Sequence, residues 1–172
     1  TGEKGGKYDS EYQIIGDKTQ KLKLLAEDLN MPILTAVQAN RRQEDANKEY
    51  EDDNIDTSTI GLSDRILHLS GWCASLVEKN NKLRMLDNSP IDDFGNYARD
   101  WGRHKLVVHK ARHLGWDWQV HSTPILRTFP SGVEKHVRNY LNYSIENFEV
   151  RETGLLSDIL DFQREQHTVT DE

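Results

Sequence analysis

Residues 24–41 read LLAEDLNMPILTAVQANR, and this stretch decides the predicted fold. Apolar residues between positions 14 and 29 fall on one helical face with lysines between them, which predicts a helix over residues 14–29. Asn30 can adopt the left-handed conformation that ends a helix, and Pro32 cannot continue one. Residues 33–37 form a short apolar run, typical of a buried parallel strand that follows a helix.

The rest of the chain continues this alternation of helices and strands. The further predicted elements are a loop over residues 40–55, a helix over 58–69, a strand over 72–77, a weak helix or loop within 80–102, a strand over 104–111, a hairpin of 118–122 with 125–129, and helices at 133–141 and 155–160. The predicted fold class is therefore α/β: a mainly parallel sheet with helices on its faces and a late antiparallel hairpin.

The composition restricts the protein class. The chain is 35% hydrophobic and 30% charged, and no apolar run approaches the roughly 20 residues that a membrane helix needs. No secretory segment is apparent at the first residues. Cys73 is the single cysteine, so it cannot form an internal disulfide and is expected to be a small core residue in a reducing compartment. We therefore expect a cytoplasmic protein without a membrane partner.

The charge distribution restricts the mode of nucleic-acid binding. A formal net charge of −7 argues against binding by the whole surface, because phosphate contacts need clustered lysines and arginines. The acidic residues are concentrated at 44–56 and at the C-terminus, whereas residues 105–113 form a local basic patch.

Residues 24–41 resemble the helix, strand and Gln-x-x-Arg signature of DnaB-type hexameric replicative DNA helicases, phage members included. The resemblance implies a RecA-like fold in which Gln38 senses the γ-phosphate of ATP and Arg41 contributes to nucleotide binding. The position of Gln38 suits this role, because ligands of open α/β sheets gather at the carboxyl ends of strands and an amide both donates and accepts. The alternative is a polar residue that only ends a strand.

A second match covers residues 107–115, VVHKARHLG, which are similar to the family's strand ending in Lys-x-Arg before a glycine turn. The resemblance implies that Lys110 and Arg112 reach the ATP of a neighbouring subunit and stabilise charge on the transferring phosphate. Arginine suits this task because its planar fork grips phosphate oxygens and keeps its charge. The alternative is a solvated basic strand end.

A looser match covers residues 56–64, DTSTIGLSD, where family members carry a loop and helix start that hold single-stranded DNA. Small hydroxyl residues and a glycine that open a helix can present backbone N–H groups to phosphate. Ser58, Thr59 and Gly61 are the predicted DNA contacts. An ordinary capped helix explains them equally well.

The phosphate-binding loop of such an ATPase is not recognisable. Residues 2–8, GEKGGKY, have a glycine spacing one residue too short, and Tyr8 stands where a hydroxyl ligand of magnesium is needed. We therefore expect residues 1–129 to be the C-terminal part of a RecA-like ATPase core and residues 130–172 to be a helical extension. ATP and Mg²⁺ would then be cofactors of the complete assembly, in which a P-loop half or neighbouring subunits of a homo-oligomeric ring complete the site. The isolated chain is expected to bind no cofactor and to be inactive.

Two further groups of residues, three histidines and two tryptophans, have both a functional and a structural interpretation. A metal site at His104, His109 and His113 is disfavoured, because strand alternation sends His104 and His109 to opposite faces. Trp116 and Trp118 could stack on DNA bases, although packing in the core or the hairpin is the commoner role.

Three functional hypotheses remain open from the sequence. The first is a motor fragment, the C-terminal portion of an ATP-dependent replicative DNA helicase. The second is a non-catalytic interaction or regulatory protein descended from such a helicase. A freestanding RecA-like recombinase or clock-type ATPase is the third, and it fits the Gln-x-Asn-Arg run less well.

Overall fold

The computed structural model describes residues 9–37, 64–112 and 123–170. Helix α1, Asp9–Leu29, confirms the predicted helix over residues 14–29. It ends as predicted, with Asn30 in the left-handed region at φ 48°. The N–H of Met31 donates to the carbonyl of Ala26 at 3.0 Å and that of Asn30 donates to Glu27 at 3.2 Å, which is the Schellman pattern of helix termination.

The strand predicted at residues 33–37 is wrong. Residues 31–37 have no regular secondary structure, and the side chain of Leu34 is 88% exposed. Pro32 removes one backbone donor, and no neighbouring strand pairs with these residues within the described part of the chain. An apolar run alone therefore did not specify a strand, because a strand also needs a hydrogen-bonding neighbour.

The predicted elements that follow are largely confirmed. Helix α2, Asp64–Leu69, is the last part of the helix predicted over 58–69, whose first residues lie outside the described ranges. Strands β1, Trp72–Glu78, and β2, His104–Ala111, occur where strands were predicted. Between them helix α3, Asn81–Asp87, begins at Asn80, whose side chain accepts a hydrogen bond from the N–H of Leu83 at 2.7 Å.

The mainly parallel, RecA-like sheet is contradicted. Strands β5, Leu141–Glu146, and β6, Glu149–Leu155, join the first two strands in the order β1-β2-β5-β6. Every neighbouring pair in this sheet is antiparallel. A buried apolar run shows that a strand lies inside the protein but not which way it points, since direction follows from the connection between strands. The two-residue turn between β5 and β6 can only join antiparallel strands.

A separate hairpin replaces a predicted helix. Strands β3, Pro124–Thr128, and β4, Glu134–Arg138, pair in antiparallel fashion. The helix predicted at 133–141 is therefore wrong, because Lys135 and Val137 are half-buried while Glu134 and His136 are exposed, which is the period of a strand. The other strand predicted for the late hairpin, 118–122, lies outside the described residues. Helix α4, Leu156–Thr170, confirms the last predicted helix.

The core lies between one face of the four-stranded sheet, α4 and the β3–β4 hairpin. Its buried members are Trp101, Val107, Tyr140, Leu156 and Ile159, with Ile125 and Val137 of the hairpin packed against them. Leu156 and Ile159 are fully buried at the start of α4, so this helix is fixed by its first turn. Among the described helices, none is long and apolar enough to cross a membrane.

Two glycines with similar positive φ angles give a matched test of this packing. Gly102 has φ 87° and Gly95 has φ 84°. A Cβ on Gly102 would overlap the carbonyl of Tyr143 and lie 2.8 Å from the backbone nitrogen of Ser144, whereas a Cβ on Gly95 meets nothing within 4 Å.

We predict that Gly102→Ala lowers the free energy of unfolding by about 2–4 kcal/mol, because it adds overpacking to the left-handed strain. Gly95→Ala should cost only about 1 kcal/mol, since the strain acts alone. Urea unfolding of both variants measures the difference. Equal losses of unfolding free energy in the two variants would show that the backbone of Gly102 does not approach β5 this closely.

Candidate functional site

The structure places only two of the predicted site residues, Lys110 and Arg112, both at the end of β2. Of the weaker candidates, His104 and His109 lie in β2. The remaining predicted contacts and candidates lie outside the described residues: Gln38, Arg41, Ser58, Thr59, Gly61, His113, Trp116 and Trp118. The juxtaposition of Gln38 with Lys110 therefore stays a prediction, although the strand expected to carry Gln38 is not formed at 33–37.

Lys110 has a structural partner. Its ammonium donates to the carbonyl of Leu67 and, at 3.0 Å, to the carbonyl of His68. These carbonyls belong to the last turn of α2, where helical C=O groups lack partners and the helix dipole is negative. Lys110 thus ties the C-terminus of α2 to β2.

Arg112 lies just beyond β2 and is exposed. Its backbone N–H donates to the carbonyl of Gly71 at 2.7 Å, which fixes the main chain beside the start of β1. Within the described residues, no ion pair or side-chain hydrogen bond involves its guanidinium. The backbone of Arg112 is therefore held in place while its charge faces solvent.

Lys23 of α1 completes a basic cluster with Lys110 and Arg112. Burial lowers the pKa of the Lys110 ammonium, and the positive charges of Arg112 and Lys23 lower it further. Arg112 and Lys23 thus act on Lys110 through their positive charges, although Lys23 Nζ also lies 3.8 Å from Glu27 Oε1. An anion bound beside Lys110 and Arg112 would stabilise the charged form of Lys110. We call Lys23, Lys110 and Arg112 the basic cluster.

Cys73 faces Lys110 across the β1–β2 pair. Burial raises the pKa of its thiol, and the charge of Lys110 offsets part of this rise. A thiol that stays protonated at neutral pH is a poor nucleophile, so Cys73 fits the packing role expected from the sequence.

A hydroxyl–imidazole pair lies next to the cluster. Ser75 Oγ and His109 Nε2 are 2.9 Å apart. The register between β1 and β2 shifts between Cys73 and Ala74, so His109 is the extra residue of a β-bulge. The pair satisfies the Ser75 hydroxyl and one imidazole nitrogen close to the point where the strand ladder is interrupted.

A second polar cluster, which the sequence did not reveal, lies in the interior. The fully buried carboxylate of Asp87 forms ion pairs with Lys79 Nζ at 2.8 Å and with Arg127 Nη2 at 2.5 Å. The hydroxyl of Tyr140 donates to the same carboxylate at 2.9 Å and accepts from Arg127 Nη1 at 3.1 Å. We call these four residues the buried charge network.

Burial and neighbouring charges shift the pKa values of residues in this network. Burial lowers the pKa of Lys79, while Asp87 opposes this effect by stabilising the ammonium. Burial also raises the pKa of Tyr140 well above 10.0, and the neighbouring Asp87 adds to the rise, so its hydroxyl remains a donor. Lys105, only 1% exposed, brings a third cation near the single carboxylate, with its Nζ 5.3 Å from the centre of the Tyr140 ring.

The network was missed because its members come from separate parts of the chain, and none belongs to a local motif. Lys79 follows β1, Asp87 ends α3, Arg127 lies in β3 and Tyr140 precedes β5. The sequence contains only a weak indication of this network. Lys105 interrupts an apolar strand and Lys79 borders one, and an unpaired cation at such a position is costly.

No group of three or more His, Cys, Asp or Glu side chains that could hold a metal ion occurs among residues 9–37, 64–112 and 123–170. Comparisons with protein-family models, with curated proteins and with solved structures give no match to the chain. Function therefore has to be inferred from the residues and their geometry.

The buried charge network yields a stability prediction. We expect Asp87→Ala to lower the free energy of unfolding by about 3–5 kcal/mol, because it leaves two buried cations without their counter-charge. Asp93, an exposed aspartate of the following loop, is the matched control. Asp93→Ala should change stability by less than about 0.5 kcal/mol. Similar urea midpoints for the two variants would show that the carboxylate of Asp87 is solvated rather than buried.

Proposed function

We propose that the chain is the C-terminal part of an ATP-dependent DNA helicase related to the DnaB type, and that Arg112 contacts phosphate of a nucleotide held by a P-loop-bearing part of the assembly. The observation that carries this proposal is the exposed Arg112, whose backbone N–H is fixed at the start of β1 and whose positive charge acts on Lys110. The similarity of residues 107–115 to the family's Lys-x-Arg strand supports it. The parallel sheet that the resemblance implies is not formed in the described residues, so the proposal rests on Arg112 and on this local similarity.

The two basic residues receive different roles in this proposal. Lys110 is a positioning residue, because its ammonium is bound to the end of α2. Arg112 is the phosphate contact, since its charge is exposed and a planar guanidinium binds phosphate oxygens through two donors. An anion at this place would also relieve the repulsion between the cations of the basic cluster.

The other assignments belong to the same proposal. Gln38 would sense the γ-phosphate, Arg41 would bind nucleotide, and Ser58, Thr59 and Gly61 would contact single-stranded DNA. ATP and Mg²⁺ are the cofactors proposed for the complete assembly, which would be a homo-oligomeric ring in the cytoplasm.

The direct test is titration of the purified chain with Mg²⁺-ATP, followed through the side-chain Nε–Hε signals of arginines in NMR spectra. Arg112 should shift saturably at low millimolar nucleotide. Arg112→Ala should weaken the binding about tenfold or more, the scale of a lost charge-assisted hydrogen bond. Arg112→Lys should rescue poorly, because an ammonium lacks the planar fork.

Arg103 is the matched control for this experiment. It lies just before β2, at the opposite end of the same strand pair, and its guanidinium pairs with Glu78 Oε1 at 3.1 Å. Arg103→Ala should leave the titration unchanged. Equal shifts at Arg103 and Arg112 would indicate non-specific attraction of the nucleotide and would contradict the assignment.

A kinetic prediction follows for the assembly. Where the chain acts with P-loop-bearing subunits, Arg112→Ala should reduce ATP hydrolysis by about 10³-fold or more, the scale of an arginine supplied across an interface. Nucleotide binding by the P-loop should remain nearly intact. Steady-state ATPase rates measure this in assemblies that mix Arg112→Ala subunits with subunits disabled in the P-loop. Interfaces that combine one intact Arg112 with one intact P-loop should retain activity. Full activity of the Arg112→Ala assembly would refute a role at the transferring phosphate.

A second candidate function is a non-catalytic interaction protein descended from such a helicase. It is favoured by the exposed apolar side chains of α1 and of residues 31–37, among which Leu29 is 56% and Leu34 is 88% exposed. A surface of this kind is typical of a protein-binding site. An Arg112 that does not respond to nucleotide, together with binding to a helicase ring that Leu34→Asp abolishes, would favour this candidate.

A further inference from the structure

The turn between β5 and β6 holds a residue in an unfavourable backbone conformation. Asn147 has φ 50° and Phe148 has φ 64°, so both central residues lie in the left-handed region. Such two-residue turns favour Asn followed by Gly. Asparagine tolerates the conformation, whereas an aromatic residue at this position costs about 1–2 kcal/mol.

The surroundings of Phe148 do not offset this cost. Its side chain is fully exposed and Val150 is 64% exposed. Glu146 and Glu149, which are also exposed, face each other across the two strands beside the turn. Glu149 has an ion pair with Arg151, but both side chains are largely exposed and such pairs contribute little. Val150 follows Glu149 in β6 and therefore lies on the opposite face of the hairpin. We call Glu146, Phe148 and Glu149 the hairpin tip; its surface is apolar and acidic.

Helix α1 carries a surface with the opposite charge. Four of its exposed apolar side chains are Ile14, Leu22, Leu25 and Leu29, between 38% and 56% exposed, while Leu24 points away from them. At 100° per residue these four positions share one helical face with Lys18 and Lys21. We call these six residues the α1 stripe; it is apolar and its own charges are positive, while Asp17 and Asp28 lie along its edge.

We infer that the hairpin tip of one copy docks on the α1 stripe of a second copy of this chain. Phe148 would cover the leucines of the stripe, and the carboxylates of Glu146 and Glu149 would pair with the ammonium groups of Lys18 and Lys21. The contact joins two different surfaces, so it associates copies head to tail.

The spacing of the charges supports this docking. Directly opposed residues of an antiparallel pair have Cβ atoms about 4.5–5.5 Å apart, which applies to Glu146 and Glu149. Residues three apart on a helix, such as Lys18 and Lys21, have Cβ atoms about 5–6 Å apart. Each surface thus carries two like charges at a similar separation, and docking replaces two repulsions with attractions.

The same charges argue against nucleic acid as the occupant of the hairpin tip. Phosphates would be repelled by Glu146 and Glu149, although an exposed aromatic side chain can stack on bases. The tip is small compared with the roughly 800 Å² per partner of a stable interface. We therefore expect weak self-association that depends on protein concentration.

Sedimentation velocity of the full chain over a concentration series tests the inference, with Phe148→Gly as the main variant. The wild type should associate below about 1 mM. Phe148→Gly should shift the association midpoint about tenfold or more to higher concentration, because the apolar anchor is lost. Its thermal midpoint should rise, because glycine removes the left-handed strain. Reduced association with unimpaired folding separates docking from a structural role.

Phe94 provides the matched control, since it is 90% exposed in the loop after α3. Phe94→Ala should associate like the wild type, and so should Arg112→Ala, which separates this inference from the proposed function. A wild type that stays monomeric up to about 1 mM, or a Phe148→Gly variant that associates unchanged, would overturn the inference.

Charge reversal gives an independent arm. The pair Lys18→Glu with Lys21→Glu should abolish association, and so should the pair Glu146→Lys with Glu149→Lys, because each places like charges in contact. An equimolar mixture of the two double variants should associate again, since each tip then meets a stripe of opposite charge. A mixture that remains monomeric would contradict docking of the tip on the stripe.

Discussion

The buried carboxylate of Asp87 is the constraint on which the arrangement of the other elements depends. A charge removed from water is tolerated only when partners surround it at hydrogen-bonding distance, so Lys79, Arg127 and Tyr140 cannot move independently. These partners bring together the end of β1, the β3–β4 hairpin and the start of β5. The hairpin shares no strand pairing with the four-stranded sheet. Arg127, together with the apolar contacts of Ile125 and Val137, therefore attaches it to the core.

The parts of the fold that the sequence predicted are those encoded by neighbouring residues. Helix α1 and its Asn30 stop follow from a 3.6-residue period and one left-handed residue, and β2 follows from a central apolar run. Strand direction was not encoded in this way, because it depends on connections and on pairing between distant segments. The helix predicted at 133–141 failed for a related reason. Its four apolar positions fit a helical spacing, but pairing of β4 with β3 made the two-residue period decisive.

The candidate site was predictable to a similar degree. The Lys-x-Arg spacing identified two cations at a strand end, and the structure places both at the end of β2. Their different roles could not be read from the spacing, because the partner of Lys110 is the end of α2, about 40 positions earlier in the chain. A lysine bound to helix carbonyls restrains the strand end, and the exposed arginine two residues later benefits from that restraint. The basic cluster thus couples the position of Arg112 to the packing of α2.

The β5–β6 turn shows why a departure from local preference can be more informative than agreement with it. Two positive φ values are dictated by the tight turn, and Asn147 satisfies that demand at little cost. Phe148 opposes it, gains no burial in return and exposes its whole ring to water. Neither the turn nor the core accounts for an aromatic residue there, because glycine would serve the fold better. The exposed ring of Phe94 carries no such backbone strain, so exposure and left-handed strain together distinguish Phe148, and docking on the apolar face of α1 would account for both.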